Sequence, residues 1–536
     1  MTNDWTDGYV ADHTYGHYYF SALAPGYIRA CLLMSGFDLP VRESGEPLRY
    51  LELGYGQGFS LNLHAAANQD IEFWGTDFLP DQALNAQYFA LLSGLGTHIL
   101  NDSFAELDEK AQAGKLPLFD IIVFHGIWSW INHENQQHIL NIVQNSLKPN
   151  GAVYISYNSQ PGRSLSMPIR ELMSIHADRK GIGKDSVTRA TEAAALVRAL
   201  SEAGAAFFTD SPAYTAFVER MQKHPATYLA HEYLNKNWHA SYFFEIAKTM
   251  ATVGCNFVTS ANILESTLIA QPEKTRSFLN AVSDPVSWEV LKDYNQNTSF
   301  RRDIFIRDSS PMTVDEWRHR LDQSSWCLAG PLDQIKELAI KLPYITLALD
   351  EAVYRPILNA LAENSYAPKT LAFLRTHPNI SHLPHEDFFS CMRMLFGCGY
   401  IAPAQPSPSE KTLSICHHLN NIICHMTANG NIQQHLVSPV LGCAYAVSEP
   451  HQLFLRSYIA GETNPAKWGI AAFTIMHTGS RAPAYQSREE AEKIRELFLQ
   501  EAQQFAENTL PFLRAIGIVP ASRAAVRTNR DKAKRR

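Results

Sequence analysis

The chain has 536 residues, 46% of them hydrophobic, 18% charged and 11% aromatic, enough apolar surface for three or four packed units at roughly 100–200 residues each. That composition excludes disorder as the main state, and no stretch approaches the roughly 20 uninterrupted apolar residues that a membrane-spanning helix needs. The net charge of −7 divides unevenly, because residues 523–536 hold seven Lys/Arg against one Asp and leave −13 on the body. Nucleic acid is therefore disfavoured as a partner or acceptor, and the tail reads as a solvated basic end.

The first seven residues lack the basic and apolar regions of a secretory signal. Eight cysteines form no C-x-x-C pair, so the expectation is reduced thiols and a cytoplasmic protein. A homodimer stays open.

In chain order, residues 1–45 read as a helical segment or lid, with Tyr15, Tyr18 and Tyr19 as candidates to fold over a ligand. From about Leu48, β-type runs alternate with helical stretches: Arg49-Tyr-Leu-Glu-Leu53, Glu72-Phe-Trp-Gly-Thr76, Phe119-Asp-Ile-Ile-Val-Phe124 and Ala152-Val-Tyr-Ile-Ser156. Glu134 to Leu147 has helical spacing and ends at Lys148-Pro-Asn-Gly151, a turn sequence. This alternation predicts an α/β fold, a Rossmann-like parallel sheet covered by helices over residues 46–175. The period then becomes helical over 176–310, where Glu192 to Phe208, Tyr214 to Gln222 and Tyr242 to Val253 place apolar residues at helix spacing. Residues 311–520 mix helices with short β-like runs around a Pro-rich break, Ala402 to Pro408, and 521–536 form the basic tail.

The most informative stretch is Leu51-Glu52-Leu53-Gly54-Tyr55-Gly56-Gln57-Gly58-Phe59, between a strand and a helix-like run. Glycines there let the backbone turn sharply and approach a ligand, while the helix N-terminus offers unpaired N–H groups. The dinucleotide pattern G-x-G-x-x-G would put its third glycine at position 59, which is Phe59; here the glycine comes one residue earlier. Asp77 ends the next strand, 19 residues after Gly58, where a carboxylate accepts both hydroxyls of a ribose. Asn101-Asp102-Ser103-Phe104 ends a third, weaker run and suits an adenine. Loop, acid and third strand end follow in the order an adenosine-containing ligand requires.

These residues resemble the class I S-adenosylmethionine-dependent methyltransferases, with S-adenosylmethionine as the implied cofactor and Glu52, Gly54, Gly56, Gly58, Asp77, Phe78, Asp102, Ser103 and His125 as its implied binding residues. His125-Gly-Ile-Trp128-Ser-Trp130 and Tyr154-Ile-Ser-Tyr157-Asn158-Ser-Gln-Pro161-Gly162 resemble motifs of bacterial methyltransferases with a methyltransferase regulatory domain, a group that includes rickettsial-type protein-lysine methyltransferases. The regulatory domain itself is suggested by Tyr228-Leu-Ala-His231-Glu232 through Glu245 and by Asn297 to Phe305, and the resemblance extends to the C-terminal part, implying a winged-helix-like α+β region over 311–520. The N-terminal Thr14-Tyr15-Gly16-His17-Tyr18-Tyr19 is closer to another branch of the group.

Methyl transfer from a sulfonium is an in-line displacement that asks the protein mainly to align donor and acceptor and exclude water. Acceptor-side candidates stand just past the fourth and fifth strands: His125, Trp128, Ser129, Trp130, Tyr157 and Asn158. Trp128, Trp130 and Tyr157 can surround an ammonium, His125 can deprotonate a hydroxyl, and Asn158 can accept from an amine. Core packing, a satisfied histidine and a turn residue are the plainer readings of the same positions. A protein lysine amine is the acceptor the resemblance favours; a small-molecule or glycan hydroxyl, or a non-catalytic cofactor-binding regulator, are the alternatives. No metal is expected: Cys416, His417, His418, Cys424 and His425 place partners about two helical turns apart. His231-Glu232 with His239 lacks the H-E-x-x-H spacing and reads as a structural helix pair.

Overall fold

In the computed structural model, which describes residues 8–10, 12, 18–40, 46–308, 310–405, 407–477 and 487–520, the apolar runs become five parallel strands. They are β1 (Leu48–Leu53), β2 (Ile71–Thr76), β3 (His98–Leu100), β4 (Phe119–Phe124) and β5 (Leu147–Asn158). All six residues of β4 are buried, as a central strand covered on both faces must be. Alternate side chains serve opposite cores. Tyr50, Ile121, Val123 and Tyr154 join one cluster, while Leu51, Ile122, Phe124 and Val153 join the other. Lys148-Pro-Asn-Gly151 lies within β5 as an irregularity, between the Phe119 to Leu147 and Ile121 to Ala152 pairings, with Asn150 at φ 59°.

Two further strands complete the sheet. β6 (Cys255–Ser260) and β7 (Phe300–Arg307) give the order β3-β2-β1-β4-β5-β7-β6, with β7 antiparallel to both neighbours. They come from the span expected to be a separate helical domain, so the sheet does not end near residue 175. Short-range periodicity could not reveal this, because β7 pairs with a strand about 150 residues earlier in the chain.

Between β5 and β6 the chain makes helices Met167–Lys180, Ser186–Glu202, Pro212–Met221 and Ala226–Leu234. Ile169, Met173, Ala193, Val197, Val218 and Leu229 give them a core of their own. The return to the sheet is tied to β5: Ser241 donates its N–H to Asn158 O at 3.0 Å, Gln160 donates to Ser241 O at 3.1 Å, and His239 donates to Ser129 O at 3.0 Å. These bonds hang Ala226–Leu234 over the carboxyl ends of the strands.

The remaining residues pack helices such as His385–Gly397 and Glu410–Ala428 around small sheets. Their Trp326, Phe396, Leu419 and Phe454 belong to the same core as Tyr50 and Ile121, so this region continues one face of the sheet. Tyr15 and residues 521–536 lie outside the described residues. No helix among the described residues is long and apolar enough to cross a membrane.

Candidate functional site

Strand order reverses between β1 and β4, and the crevice past their carboxyl ends is where open α/β sheets take ligands. β1 leaves the sheet into Gly54, Gly56 and Gly58, all left-handed, at φ 76°, 59° and 68°. A Cβ on Gly54 would stand 2.3 Å from Ile127 Cδ1, and one on Gly58 2.4 Å from Ala86 Cβ. Both positions are closed to larger residues by packing as well as by φ.

The two acids named from the sequence meet at this loop. Asp77 accepts from Gly56 N at 2.9 Å and Leu79 N at 3.1 Å, and the Gln82 amide, turned to satisfy it, donates to both carboxylate oxygens at 3.2 Å. Burial raises Asp77 to about 6, against those backbone hydrogen bonds. Glu52 is 4% exposed, its buried Oε2 has no partner, and burial together with the Asp77 charge raises it to about 8.

A cavity of about 280 Å³ opens here, walled by Glu52, Gly54, Gly56, Asp77, His125 and Asn158 from the sheet domain. Tyr18 and Phe20 close it from the N-terminal segment, and Arg163, Tyr228, His231, Glu232 and Phe300 from the residues past β5. An adjoining cavity of about 120 Å³ is lined by Phe78, Asp102, Ser103, Phe104 and Asn135, and shares Tyr9, Gly54, Asp77, Gln82, Ile127 and Trp130 with the first. The Tyr9 ring stands 6.0 Å from Phe78 and 6.0 Å from His231, spanning the two.

Glu52, Gly54, Gly56, Asp77, Phe78, Asp102, Ser103, His125 and Asn158 are thus brought together at the two cavities, while Gly58 packs behind them against Ala86. At the smaller cavity, Lys110 Nζ donates to Asp102 at 2.5 Å, and Ser103 caps helix Phe104–Gln112 with Glu106. Their contribution is shape and polarity at the wall. Tyr157 and Trp128 are not at the cavity. Tyr157 is buried and donates to Asp303 Oδ2 at 2.7 Å; Trp128, 3% exposed, packs on Phe124 in the core beneath helix His133–Ser146. Alternation along β5 explains Tyr157, since it turns it away from the face of Tyr154 and Asn158.

His125 faces the cavity, but Nδ1 sits 3.0 Å from the Tyr154 hydroxyl, the ring lies 4.2 Å from Phe20, and burial lowers it to about 3. His231-Glu232, read from the sequence as a structural helix pair, lies on a helix as expected, and with Tyr228, at i, i+3 and i+4 on one face, it also lines the cavity. That spacing was the available signal. Arg163, Phe300 and Gln82 carried none, because tertiary folding alone delivers them. The His/Cys group of Glu410–Ala428 is turned elsewhere: His417 and His418 face the carbonyls of Gly517 and Leu92, both at 3.1 Å.

Strand order, glycine loop and acids together define a Rossmann-like methyltransferase fold. Residues 225–307 match the model of the predicted methyltransferase regulatory domain, which here includes β6 and β7 as well as the helices. Across 94% of this chain and 99% of the other, the fold is similar to the structure of PKMT2 from Rickettsia typhi in complex with AdoHcy, at TM-score 0.67 and 19% identity. A second structure of that Rickettsia typhi protein gives 0.66 and 18% over the same shares of the two chains. An uncharacterized protein of Synechocystis sp. is 29% identical over 96% of this chain and 99% of its own length.

Proposed function

We propose that this chain is an S-adenosylmethionine-dependent methyltransferase whose acceptor is a protein lysine amine. The observation that carries the cofactor reading is the Glu52 Oε2, buried without a partner beside the glycine loop. Such an atom costs about 1–3 kcal/mol unless a ligand donor reaches it. In this reading Glu52 and the loop hold the methionine portion, Asp77 and Gln82 the ribose, and Phe78, Asp102, Ser103 and Phe104 frame the adenine. When bound, the cofactor supplies a methyl group on a sulfonium, activated for displacement.

The protein's own share is alignment and exclusion of water. Phe20 and Phe300 wall the site, and Tyr9 spans it. An amine is favoured over a hydroxyl by charge: among the described residues lining the larger cavity, the carboxyl groups of Glu52, Asp77 and Glu232 face one guanidinium, Arg163. A cofactor of one net positive charge leaves an excess of negative charge, which a cationic acceptor matches. His125, held neutral by burial, is a poor base for a hydroxyl. The motifs shared with rickettsial-type protein-lysine methyltransferases support lysine, and eight free thiols accord with a cytoplasmic enzyme.

Incubation with a radiolabelled methyl donor and cell extract tests both levels. Label recovered as methyllysine after protein hydrolysis is expected. Label in glycan or small molecules overturns the lysine reading, while absence of S-adenosylhomocysteine binding overturns the cofactor reading.

A further inference from the structure

We propose that Glu232 is the group that receives the acceptor amine and its proton, with Arg163 as the counter-ion that positions it. This rests on the methyltransferase reading above.

Glu232 is 9% exposed and lies on the wall of the larger cavity, which it shares with Glu52, His125 and Asn158. Arg163 Nη1 donates to its Oε1 at 2.8 Å, while Arg163 Nε donates to Ser299 O at 3.1 Å. The guanidinium is therefore anchored to the backbone before β7 and holds one carboxylate oxygen. No hydrogen bond engages the other oxygen among the described residues. Asn158, 1% exposed, lines the same cavity with its Nδ2 unpartnered, a buried donor that an accepting atom of the bound ligand would satisfy. The charged and titratable groups around Glu232 are Arg163 and Arg170, with Tyr228, His231 and Tyr233 on its own helix and Glu52, Asp77 and His125 across the cavity. Burial raises its pKa against the pull of the two arginines, which suits a carboxylate that takes up a proton.

An ammonium has no lone pair with which to attack. Its N–H bond breaks with the electron pair left on nitrogen, and the proton passes to a Glu232 oxygen. The freed pair forms the new bond to the methyl carbon, and the carbon–sulfur pair departs with sulfur. The methylated amine leaves as a cation, and Glu232 returns its proton to solvent.

The test compares two ligands on the full chain by calorimetry. Sinefungin carries an amine-bearing carbon in place of the methylated sulfur, whereas S-adenosylhomocysteine presents no charge there. In the wild type the ratio of the two dissociation constants should favour sinefungin. In Glu232→Gln, which keeps size and the Arg163 contact, that preference should fall about tenfold, the size of one charge-assisted hydrogen bond, with S-adenosylhomocysteine affinity unchanged. Glu232→Asp should recover part of the preference. An unchanged ratio, or equal losses for both ligands, overturns the role of Glu232. Failure of wild type to bind S-adenosylhomocysteine overturns instead the reading on which it rests.

Discussion

Gly56 donates its backbone N–H to Asp77 Oδ2 at 2.9 Å, joining the loop after β1 to the acid after β2. The second oxygen is held by Leu79 N at 3.1 Å, and the Gln82 amide donates to both at 3.2 Å, so the carboxylate is oriented by two backbone N–H groups and one side chain. Asp77→Asn replaces one acceptor with a donor that meets an N–H. S-adenosylhomocysteine affinity should fall about 10–100-fold, matching about 1–3 kcal/mol for a misplaced buried polar group. Calorimetric titration checks this, and an unchanged affinity would remove Asp77 from the ribose site.

The same acids set a pH dependence. Burial raises Glu52 to about 8 and Asp77 to about 6, so the ligand-free protein holds protons that a cationic cofactor expels. Affinity for S-adenosylmethionine should rise with pH through that range and level off above it, and Glu52→Gln should erase the upper inflection. For folding the sign is opposite. Both folded-state values lie above the ordinary carboxylate range, so their contribution to stability is fully present below that range and is lost as pH rises through about 6 and about 8. Thermal melts of wild type and Glu52→Gln across this window check the second half.

His125 presents the opposite case. With its pKa lowered to about 3, it is neutral throughout the working range and cannot act as a titrating base near pH 7. His125→Ala should lower turnover by loss of its packing on Phe20 and Phe300, equally at pH 6.5 and pH 9. A loss rescued at the higher pH would point to general-base chemistry on a hydroxyl.

Tyr157 should behave as a structural residue. Its hydroxyl donates to Asp303, which also accepts two hydrogen bonds from the buried Arg301 at 2.8 and 3.1 Å. Tyr157→Phe should cost about 1–2 kcal/mol of stability and leave S-adenosylhomocysteine affinity unchanged. A selective loss of turnover without a fall in Tm would return Tyr157 to the acceptor site.

Within the glycine loop, the positions should separate by where a Cβ would go. On Gly58 it meets Ala86 at 2.4 Å, whereas on Gly56 its nearest contact is the Gln82 side-chain amide at 3.9 Å. Gly58→Ala should therefore lower Tm more than Gly56→Ala, by denaturation melts of the two variants, since both carry the strain of positive φ and only one displaces a helix. Equal losses would mean that φ alone sets the cost.

Local pattern was enough for much of this molecule. The strands around the loop, the glycine spacing that departs from the dinucleotide pattern, and Asp77 at a strand end are all short-range features, encoded within about 30 residues by hydrophobic period and by backbone conformations only glycine adopts easily. They determined the parallel strands of the sheet, the glycine loop and the acid beside it, but not the antiparallel β7 and its neighbour β6. Direction across the sheet was harder to read, because a strand exposes opposite faces at successive residues. Asn158 faces the cavity while Tyr157 goes to Asp303; past the end of β4, outside any strand, Trp130 lines the cavity while Trp128 fills the core for reasons of tertiary packing.

Only the tertiary structure decided which residues past β5 close the cavity. Arg163 and Glu232 are 69 residues apart yet 2.8 Å from each other, and Phe300 reaches the same cavity through a strand paired antiparallel to β5. The helices between β5 and β6 are stabilised by their own apolar core, so their sequence reports that core. Which of their polar residues turn toward the cavity is fixed by the backbone bonds from Ser241 to the end of β5 and from His239 to Ser129 past β4. Such long-range contacts leave no period in the chain.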